Sequence, residues 1–107
     1  MKINNIFGNI SQDLPQEITQ TLLACEGARM ERIVSHGHAS PENFWYDQDE
    51  SEWVLLVAGA ARLEIDSDGM CNMRAGDYLL IPTHRKHRVD WTDPETDTIW
   101  LALFFKE

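Results

Sequence analysis

The sequence predicts an all-β fold, a single small barrel preceded by a short N-terminal helical segment. Three observations point there. From residue 28 onward, short apolar runs alternate with polar positions. Turn-forming clusters interrupt these runs about every 8–12 residues, the rhythm of sandwiches and barrels rather than of βαβ units. The 107 residues, 43% of them hydrophobic, supply one domain's worth of chain and a real core. The expected division is an N-terminal segment over residues 1–27, packed on a barrel over residues 28–107.

The elements follow in order. Asp13 before Leu14 and Pro15 has the form of a helix start, since Asp caps free N–H groups and Pro fits the first turn. A short helix over residues 15–20 is expected, although TQTLL at 19–23 reads equally as a strand. Strands are then expected over 29–35, over the aromatic-rich 43–48 and over the apolar run 53–58, which ends at Gly59. Residues 61–65 alternate up to the turn DSDG at 66–69. Strands over 70–74, 78–81, 87–91 and 98–105 complete the chain, separated by AGD at 75–77, Pro82 and TDPE at 92–95.

Composition excludes several classes. A formal charge of −9 repels phosphate backbones and anionic membrane surfaces, so neither nucleic acid nor membrane is an expected partner. No apolar run approaches the roughly 20 residues that span a bilayer. The first residues lack a signal-peptide pattern, and Cys25 and Cys71 form no CxxC pair, so a cytoplasmic protein with reduced, buried thiols is expected. No nucleotide-binding loop, Ser/His/Asp arrangement or zinc-type cysteine cluster is evident, and no nucleotide cofactor is expected.

Two stretches carry the specific signal, EWVLLVAG over 52–59 and GDYLLIPTHRKH over 76–87. Together, in this order and within a β pattern, they resemble the two motifs of the cupin superfamily. The first motif there reads glycine, five residues, HxH, three or four residues, glutamate, six residues, glycine. The second reads glycine, five residues, PxG, two residues, histidine, three residues, asparagine. The resemblance spans about residues 40–105 and implies a jelly-roll β-barrel. It also implies a divalent metal (Fe, Mn, Ni, Zn or Cu) held by the two histidines of HxH, the glutamate and the second-motif histidine. Glu52 and His87 match two of those four positions.

The other two positions depart from the pattern. In the ordinary hairpin register, Tyr46 and Gln48 fill the HxH slots, so Gln48, Glu52 and His87 are the metal-ligand candidates. The chain's own HxH, His36 and His38, lies upstream and is the alternative ligand pair, reached only through an enlarged hairpin. His84 stands in the glycine slot of the second motif. Trp91 replaces its final asparagine and, by simple alternation, shares a face with His87. Tyr46, Trp91 and His84 are therefore the candidate ligand-pocket residues. The basic Arg85, Lys86 and Arg88 read either as an anion attractor or as a solvated turn.

Two functions stay open. The resemblance implies a metal-dependent dioxygenase, isomerase or decarboxylase. The altered HxH implies instead a non-catalytic binding or sensor domain for a small molecule, without bound metal. A homodimer is expected as well. If Glu52 points inward, Val54, Leu56 and Ala58 share its face, yet the opposite face of Trp53, Leu55 and Val57 is just as apolar and needs a cover, either the N-terminal segment or, as favoured, a second subunit.

Overall fold

The computed structural model describes residues 1–106. Its strands are β1 (Ile18–Cys25), β2 (Ala28–Ser35), β3 (Ser51–Ala58), β4 (Ala60–Ile65), β5 (Gly69–Arg74), β6 (Tyr78–Ile81), β7 (His87–Thr92) and β8 (Thr98–Phe105). They form two antiparallel sheets, one ordered β1-β2-β8-β3-β6 and the other β5-β4-β7. The fold is all-β, a jelly-roll arrangement. Among the described residues no helix is long and apolar enough to cross a membrane.

The period-2 alternation decides what meets between the sheets. Val54 and Leu56 of β3, Trp100, Ala102 and Phe104 of β8, and Ala61, Leu63 and Ile65 of β4 are buried in one core. Their odd-face neighbours Trp53, Leu55, Leu101 and Leu103 remain half-buried on the outside of the larger sheet. Core side chains of this size stabilise a fold by about 1.5–3 kcal/mol each when fully buried.

Gly59 joins the two sheets between β3 and β4. Its φ is +87°, and a Cβ built there would meet the Thr98 side chain and lie 2.7 Å from the Thr98 Cα and 2.8 Å from the Asp97 carbonyl oxygen. Both the left-handed backbone and the close approach of β8 demand glycine at this point. Gly76, with φ +96°, has open space around it.

The structure corrects three sequence expectations. The helix over 15–20 is absent, and the chain instead enters β1 at Ile18. The alternative reading of 19–23 as a strand holds, because Thr19 and Thr21 gain an antiparallel ladder with β2, interrupted by a bulge at Leu22, that outweighs the local capping signal. Residues 43–48 form no strand. Asn43 turns the backbone with φ +67°, and only Tyr46 reaches a ladder position, as a bridge to His87. Cys25, expected to be buried, is exposed, while Cys71 is half-buried.

Candidate functional site

The cavity between the sheets is built by ladder rows. On the inner face of the larger sheet, Arg29 of β2 pairs with Phe104 of β8, Phe104 with Glu52 of β3, and Glu52 with Ile81 of β6. The opposite sheet contributes Leu63, His87 and Val89. Tyr46 and Gln48 close the wall from the connection before β3. The enclosed volume is about 180 Å³.

His87 and Glu52 meet inside it. His87 Nε2 lies 3.3 Å from Glu52 Oε1, with both side chains nearly buried. The other ring nitrogen, Nδ1, is 3.0 Å from the Arg85 carbonyl oxygen. A carbonyl can only accept, so Nδ1 carries a proton. A protonated Nε2 would pair with the Glu52 carboxylate across that 3.3 Å gap. Burial pulls the His87 pKa down, but the Glu52 hydrogen bond, the Arg85 carbonyl and the Glu52 charge together hold it above the ordinary histidine value. Tyr46 stacks on the His87 ring at 5.3 Å between centroids. Its backbone N–H donates to the His87 carbonyl at 2.7 Å, and the His87 N–H donates back at 3.1 Å. Burial first, then the charges of Glu17 and Glu52, push the Tyr46 phenol up.

Tyr46, Gln48, Glu52 and His87 thus line one cavity. His84 and Trp91 do not. His84 is exposed, its Nδ1 2.7 Å from Asp47 and its Nε2 3.2 Å from Asp49. The Asp47 hydrogen bond, against a small loss from burial, raises its pKa, and the Asp47 and Asp49 charges add to that. Trp91 is turned outward by a β-bulge. The β4–β7 register slips between Arg62 and Leu63, so Leu63 faces Val89 while Arg62 faces Trp91, and Asp90 is the extra residue. Val89, two residues from His87 and ahead of the bulge, keeps its expected place in the cavity wall, while Trp91 does not line it.

His36 and His38 also lie off the cavity. His36 Nδ1 is 2.9 Å from Asp97, and the His36 backbone N–H donates to His38 Nδ1 at 2.9 Å. Thr92 Oγ1 donates to the His38 carbonyl at 2.6 Å. The pair fastens the end of β2 to the ends of β7 and β8. Two members of the basic cluster are paired, Arg85 with Asp68 and Arg88 with Glu64 and Asp90, while Lys86 is exposed.

Four polar residues of the cavity wall escaped the sequence reading: Glu17, Thr19, Arg29 and Glu31. Arg29, Glu31 and Ile33 alternate along β2, a pattern indistinguishable in sequence from a solvated face. Glu17 reaches the mouth because β1 pairs Ile18 with Val34, which brings it beside Ser35, whose hydroxyl donates to Glu17 Oε2 at 3.0 Å. Glu17, Tyr46 and Val89 also line an adjoining recess of about 410 Å³ beside His38 and Pro41.

The family resemblance implies a metal, and the donor set tests it. Glu52 and His87 are the one carboxylate–imidazole pair facing each other across the cavity. Gln48 adds a neutral amide and Tyr46 a phenol whose raised pKa keeps it protonated. Among the described residues no three His, Cys, Asp or Glu side chains are gathered as metal donors. The set does not fit a transition-metal centre, which takes three or four charged or imidazole ligands.

Comparison with known proteins places this geometry. The model of the cupin domain family matches residues 30–104. A crystal structure from Ralstonia eutropha, described provisionally as a mannose-6-phosphate isomerase, is 44% identical with a TM-score of 0.96, and each chain covers 100% of the other. A cupin superfamily protein from Desulfitobacterium hafniense has a TM-score of 0.75 at 14% identity, covering 92% of this chain and 84% of its own. A polyketide cyclase from Streptomyces resistomycificus has a TM-score of 0.71 at 14% identity, covering 87% and 67%. The last two share the fold alone. No curated protein matches.

Proposed function

The chain belongs to the cupin domain family, and we propose that it binds a compact organic molecule between its sheets and exchanges a proton with it through Glu52 and His87. The carrying observation is that His87 Nε2 faces Glu52 Oε1 at 3.3 Å inside the cavity while Nδ1 is held on the Arg85 carbonyl. This arrangement suits general acid–base work. Nε2–H can pass to the ligand, leaving a neutral ring still oriented by Arg85. The second carboxylate oxygen of Glu52 can take a proton in return, which restores the starting count. Tyr46, stacked on the ring, limits its rotation and turns a phenol toward the same space. A volume near 180 Å³ falls below the roughly 300–1,000 Å³ of drug-sized sites, so the part of the ligand held between the sheets is small.

The Ralstonia relative supports the reaction class. Interconverting an aldose and a ketose moves a proton between neighbouring carbons, which an acid–base pair can carry out. Metal-free binding is favoured over a metal centre by the incomplete donor set.

Untagged protein tests both points. Native mass spectrometry is expected to show a small organic adduct, lost in Glu52→Gln and in His87→Ala, with metal well below one equivalent. A stoichiometric transition metal that disappears in both variants overturns the metal-free reading.

A further inference from the structure

We propose that the occupant of this cavity is a small organic cation, an inference that rests on the ligand-binding reading above. Three independent features of the wall favour positive charge over neutral or negative groups.

The first is the fate of the one guanidinium on the wall. Arg29 Nε lies 3.0 Å from Glu31, and its Nη1 donates to both carboxylate oxygens of Glu50 at 2.6 and 2.7 Å. Two carboxylates already surround this cation, and its flat face is laid over the Phe104 ring at 4.3 Å. Its charge is already shared between two carboxylates.

The second is the balance of what remains. The Glu52 carboxylate faces His87 at 3.3 Å, so its charge is offset where that imidazole is protonated. Glu31 is matched by Arg29. Glu17 has no cationic partner among the described residues; it accepts only the Ser35 hydroxyl, through one of its two oxygens. The mouth therefore carries an uncompensated carboxylate. The formal charge of −9 on the chain adds a field of the same sign, which concentrates cations at the surface.

The third is the aromatic lining. Trp100, Phe104 and Tyr46 all border the cavity; one face of Phe104 already carries Arg29 and one face of Tyr46 is stacked on His87, so Trp100 is the ring without such a neighbour. The faces of aromatic rings attract cations, more strongly where water is excluded. An ammonium group can thus be held by the Glu17 carboxylate while its hydrocarbon body lies against the rings. A phosphorylated sugar would instead bring its dianion to Glu17 with Arg29 already taken.

The test varies charge at constant shape. Cyclohexylamine, cyclohexanol, cyclohexanecarboxylate and mannose 6-phosphate are titrated into the full chain, with NMR shifts of the Trp100 indole as the readout. Cyclohexylamine is expected to bind at least about tenfold more tightly than cyclohexanol, with the two anions weakest. Glu17→Gln, at an exposed position, is expected to remove most of that difference and leave cyclohexanol unchanged. Equal binding of the three cyclohexyl probes overturns the cation inference while sustaining a ligand cavity. Tighter binding of either anion overturns it, as does failure of all four probes to bind. In that last case the proton-exchange reading is judged separately, by the adduct lost in Glu52→Gln and His87→Ala.

Discussion

At the scale of single residues, the pair at the centre has a definite pH signature. His87 has a raised pKa in the fold, so it binds its proton more tightly there than in the unfolded chain. Stability from this source is fully present below the unfolded value of about 6.5 and is lost as pH rises through the folded value. Denaturant unfolding of wild type and Glu52→Gln checks this. The wild-type advantage is expected to be largest near pH 6 and to shrink toward pH 9, and an advantage that grows with pH would refute it. The exposed His84 clasp is common to both proteins and cancels. Glu52 and His87 were legible in the sequence because motif spacing fixes which face of a strand a residue occupies. Glu17 and Arg29 were not, because a charged residue on an alternating strand looks the same whether its face meets water or a cavity. Trp91 misled because a bulge at Asp90 adds one residue to β7, and nothing in the local sequence marks the place.

At the scale of elements, the turn between β3 and β4 ties the sheets together and has the least freedom. Gly59→Ala is expected to cost roughly 2–5 kcal/mol, combining a strained φ with overlap against Thr98. Gly76→Ala carries the backbone strain without the overlap and is expected to cost about 1–2 kcal/mol. Thermal unfolding of both variants measures the difference, and equal losses would show that close approach of β8 is not what requires Gly59. Strand positions from β2 onward were largely readable from alternation, apart from the stretch around Tyr46. The expected helix over 15–20 failed because capping residues report only local preference. The strand that replaced it depends on a partner, β2, which no local signal names.

At the scale of the whole molecule, the outer face of the larger sheet is unusually apolar. Trp53, Leu55, Leu101 and Leu103 are half-buried there, and Tyr78 and Leu80 are 66% and 51% exposed. The ladder places them side by side, Trp53 between Leu103 and Leu80 and Leu55 between Leu101 and Tyr78. Such a continuous patch marks an interaction surface, and a second copy of the chain is its predicted cover, at about 800 Å² per partner for a standard interface. Sedimentation is expected to give a dimer for the wild type and a folded monomer for Leu80→Glu. A wild-type monomer would refute the prediction.

The position of β1 has a consequence for motion. All eight of its residues are exposed, and it hydrogen-bonds only to β2 at the sheet's margin. Marginal strands open at far lower free energy than central ones. The chain segment that brings Glu17 and Thr19 to the mouth is therefore among the least securely held parts of the wall. An occupant that bridges Glu17 to the rings behind it would fasten this margin, so that occupancy and the rigidity of one edge of the protein rise together.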